Sequence, residues 1–336
     1  MDAFLKQSEH VALVFPGQGS QSVGMLAELA AEYSLVAATF AEASRALDYD
    51  LWRVASEGPA SKLDNTTITQ PVLLTAGYAC WRVLQAESKR TGAEFRPVCL
   101  AGHSLGEYTA LTAAASLDFT AAVHLVAERA RLMQSAVPEG SGKMAAIIGL
   151  DDMAVEKACV QAQTNGTVSA ANFNSPGQVV IAGTAAAVDT AIELCKQAGA
   201  RRAMPLPVSV PSHCELMRAA AEQLGHSLRK MPLPDPLIPV VHNVDAQTHH
   251  AGADIADLLM AQLYRPVRWT QSIQSMLDQG ITVFAECGPG NVLGGLIKRI
   301  AKAHCPDIAI TVFRLDDPEQ MRALLKISTL PDNINA

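Results

Sequence analysis

Short apolar runs alternate with longer segments of helical periodicity along most of the chain. Val11–Phe15 is an apolar run that leads into a glycine-rich turn, and Pro97–Ala101 is a second run that leads into another. Longer segments between such runs, among them Pro71–Glu87 and Ala121–Ala136, carry apolar side chains near helical spacing. This alternation predicts an α/β protein with a largely parallel sheet.

The pattern changes after the glycine-rich segment at 138–142. From there the predicted order is strand 143–149, helix 151–163, strands 168–173 and 178–183, helix 185–198 and extended segment 202–208. This βαββαβ order is typical of a ferredoxin-like domain, and the first pattern resumes after Pro211. We therefore predict a discontinuous large α/β domain (1–138 and 209–320), an inserted ferredoxin-like small domain (139–208) and a C-terminal tail (321–336).

Composition narrows the class of protein. The 336 residues are 49% hydrophobic and 18% charged, with 26 Lys and Arg against 33 Asp and Glu, for a net charge of −7. This is globular composition, and an acidic chain without a basic excess is not expected to bind nucleic acid.

Targeting signals are not evident in the sequence. No apolar run approaches the roughly 18 residues of a membrane helix, and the first ten residues lack the apolar core of a signal peptide. Seven widely spaced cysteines without a C-x-x-C pair suggest neither a disulfide framework nor a zinc site. We expect a cytoplasmic protein that binds no membrane and no metal.

A candidate nucleophile lies in the segment Gly102-His103-Ser104-Leu105-Gly106, which fits G-x-S-x-G. The segment falls between a predicted strand and a predicted helix, the context in which this motif presents a reactive serine. The glycines permit a tight turn, and the free N–H groups at the helix start favour negative charge on an attacked carbonyl. The alternative is a chance match in a segment rich in alanine and glycine.

His213 is the candidate base. Ser212 and Glu215 fit a capping box, which predicts that His213 lies in the first turn of a helix, where the helix dipole disfavours imidazolium. A neutral imidazole can act as a general base, although a histidine merely tolerated at a helix start is an equal alternative. No acid is evident as its partner, but the backbone carbonyl of Gln262, near a helix end, is a candidate acceptor.

Arg129 lies in the middle of the apolar stripe of the predicted helix Ala121–Ala136. A guanidinium directed into a core is costly unless it is paired. It pairs either with an internal carboxylate or with the carboxylate of a ligand, and periodicity alone slightly favours the internal partner.

Two further segments could contribute polar groups to a site. The loop Gly17-Gln18-Gly19 follows the first predicted strand and could supply a backbone N–H to an oxyanion, as in α/β hydrolases. Asn172, Asn174 and Gln178 lie in strand-like surroundings and could line a cleft between the domains, although turn chemistry explains them almost as well.

Several motifs together resemble one known family. They are GQGSQ, GHSLGEY, an arginine two dozen residues later, NFNSPGQVVIAG, PVSVPSHCELM, QLYRPVRW and a late GPG. The combination, from about Val11 to Arg299, closely resembles the malonyl-CoA:acyl carrier protein transacylases, which load malonyl units for fatty-acid synthesis. The resemblance implies an α/β-hydrolase-like large domain with a ferredoxin-like small domain.

The resemblance also implies roles for individual residues. Ser104 would carry the acyl group, His213 would be its base, and Gln262 would orient His213 through its main-chain carbonyl. Arg129 would bind the malonyl carboxylate, in place of the internal pairing that periodicity favours. The backbone N–H groups of Gln18 and Leu105 would form the oxyanion hole. Asn172 and Asn174 are candidate substrate-binding residues.

The expected activity is a ping-pong malonyl transfer from malonyl-CoA to the phosphopantetheine thiol of acyl carrier protein. The phosphopantetheine belongs to the carrier and CoA to the substrate, so we expect no cofactor of the enzyme, and we expect a monomer. The alternatives are an acyl hydrolase or thioesterase on the same scaffold, an acyltransferase of a polyketide pathway, and a non-catalytic module that docks the carrier.

Overall fold

A computed structural model describes residues 10–92, 95–208 and 210–327. The strands are β1 (Val11–Phe15), β2 (Cys99–Gly102), β3 (Gly142–Ile148), β4 (Val168–Ser175), β5 (Gln178–Thr184), β6 (Arg202–Pro205), β7 (Val240–Val241), β8 (Val283–Glu286) and β9 (Thr311–Arg314). The helices are α1 (Ala27–Glu32), α2 (Ser34–Leu47), α3 (Leu51–Glu57), α4 (Ala60–Leu63), α5 (Thr66–Arg90), α6 (Gly106–Ala113), α7 (Phe119–Ser135), α8 (Asp152–Ala162), α9 (Ala185–Gln197), α10 (Arg218–Leu228), α11 (Gly252–Gln262), α12 (Trp269–Asp278), α13 (Val292–His304) and α14 (Pro318–Ile327).

A five-stranded parallel sheet in the order β7-β2-β1-β8-β9 forms the centre of the larger part. Strand β1 is buried on both faces: Leu13 and Phe15 face a core shared with α5, α6 and α7, and Val14 faces a core shared with α12 and α13. A parallel sheet covered by helices on both sides explains why β1 is a continuous apolar run. The predicted α/β class and parallel sheet are confirmed.

The smaller part is a four-stranded antiparallel sheet in the order β4-β5-β3-β6. Helices α8 and α9 cover one face of this sheet through a separate apolar core. Its strands and helices follow one another as βαββαβ between α7 and α10, as the periodicity predicts. The other face carries Met144 and Val180 and points toward Cys214.

Backbone hydrogen bonds join the small sheet to the larger part of the fold beside a cleft. Phe173 N donates to Val267 O at 2.9 Å, and Val267 N donates to Ala171 O at 2.9 Å, so β4 pairs with the segment after α11. The carboxyl ends of β1 and β2 open into this cleft, which is where α/β sheets usually bind ligands.

The C-terminal prediction is wrong for part of its length. We expected a tail from 321, but α14 continues to Ile327, and Met321 and Leu324 are buried in the main core. The helix has one strongly apolar face, which packs on the core and keeps this segment ordered. Residues 328–336 of the predicted tail, like 1–9, lie outside the described residues.

Two predicted extended segments are shorter in the structure. The apolar run at 238–243, which the sequence also predicts to be a strand, forms only the two-residue strand β7, which begins after Pro239, a residue without an N–H for the ladder. The segment at 202–208 ends as a strand at Pro205. Within the described ranges, no helix is both long and apolar enough to cross a membrane.

Replacement of Gly106 by Ala should destabilise the fold. A Cβ at Gly106 would lie 2.0 Å from the carbonyl oxygen of Phe15, so β1 and α6 would have to separate. We expect the free energy of unfolding to fall by at least about 2 kcal/mol, measured by denaturant titration. Gly295→Ala is the matched control, because a Cβ at Gly295, also helical, meets nothing within 4 Å. That variant should gain roughly 0.5–1 kcal/mol, and equal effects in the two variants would contradict the prediction.

Candidate active site

Ser104 lies at the tip of a sharp turn between β2 and α6, with a positive φ of 53°. The turn brings backbone atoms too close for side chains at its glycines. A Cβ at Gly102 would lie 1.8 Å from the carbonyl carbon of Gly106. The strand–turn–helix context predicted for G-x-S-x-G is therefore present, and Ser104 projects from it in a strained conformation.

The side chain of Asn243 holds this turn together. Its Oδ1 accepts a hydrogen bond from Ser104 N at 2.7 Å, and its Nδ2 donates to Gly102 O at 2.6 Å. Asn243 follows β7, the parallel neighbour of β2, so the edge of the sheet supplies the residue. Two bonds from one rigid amide offset part of the strain in the left-handed backbone at Ser104.

His213 connects Ser104 to the end of α11. Ser104 Oγ lies 2.7 Å from His213 Nε2, and His213 Nδ1 lies 2.7 Å from the backbone oxygen of Gln262. A carbonyl oxygen only accepts, so Nδ1 carries the proton and Nε2 is free to accept from the serine hydroxyl. Gln262 is the last residue of α11, and its carbonyl has no partner within the helix, as the sequence suggests.

The predicted local structure at His213 is wrong. His213 lies in a left-handed turn with φ of 60°, and the nearest helix is a 3-10 turn, Glu215–Met217, that follows it. The capping box does not form: Glu215 instead accepts a hydrogen bond from Arg218 at 2.8 Å. The bond from His213 N to Leu263 O fixes the turn, and no sequence pattern around Ser212 indicates that contact.

The imidazole of His213 is neutral, but for a different reason from the predicted helix dipole. Burial, and after it the nearby cation of Arg129, lower its pKa to about 3, although the hydrogen bond to Gln262 opposes both effects. Removal from water disfavours the charged form most strongly.

Arg129 is buried within reach of the nucleophile. Its Nη1 donates to Gln70 Oε1 at 2.7 Å, its Nη2 donates to Gln262 Oε1 at 3.1 Å, and the same Nη2 lies 3.4 Å from Ser104 Oγ. Burial lowers the pKa of the guanidinium, whereas Tyr108, whose ring centroid lies 5.3 Å from it, raises the pKa. The internal carboxylate that periodicity favours is not in contact, because every hydrogen-bond partner of Arg129 among the described residues is neutral.

Two backbone N–H groups point to an oxyanion site beside Ser104. Gln18 and Leu105 both line the cavity at Ser104, and within the described ranges neither N–H has a hydrogen-bond acceptor. A Cβ at Gly17 would lie 2.4 Å from His103 O, so the absence of a side chain there allows the two loops to meet. The side chain of Gln18 donates to Thr66 Oγ1 at 3.2 Å and fixes its loop.

The cavity has a volume of about 300 Å³ and lies between the two sheets. Asn172, Asn174 and Gln178 line it from the small sheet, opposite Ser104. Asn174 Oδ1 lies 2.8 Å from His103 Nε2, so the ring of His103 is held away from the serine hydroxyl. The structure thus brings all the candidate residues to one cavity or its immediate wall.

The comparison with protein families agrees with this geometry. The family model described as "Acyl transferase domain" matches residues 12–321. The chain belongs to this acyl transferase family. Among its curated relatives, the malonyl CoA-acyl carrier protein transacylase of Escherichia coli K12 is 52% identical over 94% of this chain and 99% of its own. The Bacillus subtilis relative of the same name is 43% identical over 97% of this chain and 99% of its own.

Solved structures of acyl transferases have the same fold. An acyl carrier protein S-malonyltransferase from Vibrio cholerae matches with a TM-score of 0.88 at 51% identity, over 94% of this chain and 99% of the other. A malonyl-transacylase in complex with a type II PKS acyl-carrier protein matches with a TM-score of 0.89 at 47% identity, over 94% and 99% of the two chains. The resemblance drawn from the motifs is confirmed.

Sequence reasoning missed four contributions to the acyl transferase site. Gln70 contacts Arg129, Asn243 braces Ser104, and Glu107 accepts from Gln262 Nε2 at 2.8 Å. The fourth is the side chain of Gln262, since the sequence suggests a role only for the backbone carbonyl of this residue. The available sequence signal is a polar residue at an apolar position of a helix, since Gln70 and Glu107 both lie on buried helix faces.

Metal-ligating side chains are dispersed. Across the described part of the chain, His, Cys, Asp and Glu form no group of three or more able to hold a metal ion.

The reactivity of Ser104 should persist at mildly acidic pH. With a pKa of about 3, His213 stays neutral down to pH 5, whereas a histidine with the usual pKa of about 6.5 would be only about 3% neutral there. We expect the rate at which a neutral fluorophosphonate labels Ser104 to change less than about twofold between pH 7 and pH 5. Intact-protein mass measures the labelling, and a steep fall with an inflection near 6.5 would contradict it.

Proposed function

We propose that this protein transfers the malonyl group of malonyl-CoA to the phosphopantetheine thiol of acyl carrier protein, supplying the extender unit for fatty-acid synthesis. The observation that carries the proposal is a buried arginine without an anionic partner, 3.4 Å from a serine hydroxyl that is hydrogen-bonded to a neutral histidine. The names of the relatives support the same activity.

The first half-reaction acylates Ser104. His213 Nε2 takes the hydroxyl proton as Oγ attacks the thioester carbonyl of malonyl-CoA, and the oxyanion accepts from the N–H groups of Gln18 and Leu105. The C–S bond then breaks, and the CoA thiolate leaves with the proton from His213. Each donor of the oxyanion hole contributes about 10²–10³ to the rate in comparable sites.

The second half-reaction returns the enzyme to its starting state. The phosphopantetheine thiol of the carrier gives its proton to His213 and attacks the malonyl ester, and Ser104 leaves with that proton. A thioester and an ester are close in reactivity, so stabilisation of charge lowers most of the barrier and no cofactor enters the proposal.

Arg129 selects the acyl group in this proposal. A malonyl carboxylate provides the anion that the buried guanidinium lacks, whereas an acetyl group leaves the cation without one. Asn172 and Asn174 line the opposite wall of the cavity, where they would contact substrate groups other than the carboxylate.

We further propose the types of the two domains, the cellular location of the protein and its partners. The large part is α/β-hydrolase-like, and the strand order β4-β5-β3-β6 supports a ferredoxin-like small domain at 139–208 within a large domain at 1–138 and 209–320. The protein acts in the cytoplasm as a monomer that docks acyl carrier protein, with no nucleic acid or membrane as partner. The neighbour solved with an acyl-carrier protein supports docking of such a carrier.

Ser104→Ala should abolish the covalent intermediate. Wild-type protein incubated with malonyl-CoA should gain one malonyl group in intact-protein mass, and the variant should gain none because it lacks the attacking oxygen. An adduct that survives the substitution would place the nucleophile elsewhere. Free malonate released from the wild-type adduct faster than thiol transfer would favour a thioesterase.

Arg129→Ala should reduce the preference for malonyl-CoA over acetyl-CoA. The loss of a charge-assisted pair predicts a fall of about 10-fold or more in the ratio of their kcat/KM values. Arg131→Ala is the matched control, since Arg131 is exposed on the same helix. If Arg129→Ala leaves the ratio unchanged, Arg129 has only a structural role and does not select the acyl group.

A further inference from the structure

The side chain of Gln262 lies between the carboxylate-binding arginine and a buried acid. Its Oε1 accepts from Arg129 Nη2 at 3.1 Å, and its Nε2 donates to Glu107 Oε2 at 2.8 Å and to Ser104 O at 2.9 Å. The residue is completely buried. These contacts are separate from the backbone carbonyl of Gln262, which accepts from His213.

The partners of this amide permit only one orientation. Arg129 can only donate, and the carbonyl of Ser104 can only accept. An amide turned by 180° would direct its NH₂ at the guanidinium and its oxygen at Ser104 O and Glu107. Every hydrogen bond of the group would then be lost at once.

Glu107 is well placed to hold that orientation. Its Oε2 also accepts from Asn243 N at 3.1 Å, and its Oε1 lies 2.7 Å from His242 Nδ1. Glu107 is fully buried in the first turn of α6, three residues after Ser104. Because Oε2 accepts from two donors, the carboxylate fixes Gln262 relative to the nucleophile turn.

We propose that the Gln262 side chain, oriented by Glu107, is a positioning residue that aims Arg129 at the carboxylate of the acyl group. This inference rests on the proposed function. In it, two different parts of Gln262 have different roles: the carbonyl orients the base, and the side chain orients the arginine that selects the substrate.

The neutrality of the groups that hold Arg129 supports this role. Gln70 and Gln262 hold the guanidinium through amide oxygens, so its position is fixed while its charge remains unneutralised. In addition, its Nε–H has no acceptor among the described residues. A carboxylate at either position would pair with Arg129 internally and compete with the acyl carboxylate.

Substitution of the side chain separates the two parts, because the carbonyl of residue 262 remains. Gln262→Leu should lower the malonyl-over-acetyl ratio of kcat/KM by about 10-fold to 100-fold, the equivalent of one hydrogen bond to a charged group. The larger part should appear as a higher KM for malonyl-CoA. A general disturbance of Ser104 and His213 would lower kcat/KM for malonyl-CoA and acetyl-CoA alike and leave their ratio unchanged. That result would overturn the proposal.

Two controls accompany this variant. Gln85 lies on the same helix as Gln70, and its half-buried amide donates to Phe95 O. The Gln85→Leu variant should keep the wild-type ratio. Gln262→Glu is nearly isosteric and serves if Gln262→Leu does not fold. Its carboxylate should pair with Arg129 and lower the ratio at least as far, and a wild-type ratio in Gln262→Glu would equally overturn the proposal.

A double-mutant cycle tests whether Glu107 acts through Gln262. Glu107→Gln keeps the shape but weakens the acceptor, so the ratio should fall by about 3-fold to 10-fold. In the Gln262→Leu background the same change should have no further effect on the ratio. Additive effects would show that Glu107 acts independently and would overturn that part of the proposal.

Glu286→Gln is the control for the acid. Glu286 is equally buried and accepts from Leu293 N and Gly294 N, and its side chain has no hydrogen bond to Ser104, Arg129, His213 or Gln262, all of them described residues, so the ratio should stay at the wild-type value. If the wild-type protein forms no malonyl adduct, the proposed function is wrong. A wild-type adduct combined with unchanged ratios in the Gln262 variants would reject only this inference.

Discussion

The buried charge of Arg129 is the constraint on which the site depends. Removing a guanidinium from water costs several kcal/mol, and proteins usually offset this cost with a carboxylate. Here the described partners are two glutamine oxygens, the hydroxyl of Ser104 and the ring of Tyr108, none of which carries the opposite charge. The fold therefore keeps a cation next to Ser104 at the expense of stability, and in the proposed function the carboxylate of the acyl group supplies the missing negative charge.

The backbone carries a second cost at the same place. Ser104 and His213 both have positive φ, a conformation that costs residues other than glycine roughly 1–2 kcal/mol each. Asn243 braces the first turn, and the carbonyl of Leu263 braces the second. Strain of this kind persists only where the surroundings over-determine it, so the hydroxyl and the imidazole meet at 2.7 Å because the loops around them are fixed.

Local patterns in the sequence predict the elements that carry the chemistry but only some of their contacts. The strand Val11–Phe15 and the Ser104 turn could be predicted because their causes, a buried run and close-packed glycines, are local. The turn at His213 could not, since a bond to Leu263 fifty residues away overrides the capping pattern. The neutral partners of Arg129 come from α5 and α11, so periodicity within α7 could show that the arginine faces inward but not what it meets.

If His213 is the base and Arg129 selects the acyl group, as we propose, the position of Gln262 couples the reactivity of the site to its selectivity. The last carbonyl of α11 holds the base, and the side chain of the same residue holds the arginine, so both depend on where that helix ends. A shift of the helix end by even 1 Å would disturb the imidazole and the guanidinium together. The buried acid at Glu107 ties this helix end to the start of α6, which also carries the nucleophile turn. The hydrogen bonds are therefore continuous from the base to the arginine. In our proposal, a backbone change at residue 262 that relaxed acyl selectivity would also displace the base.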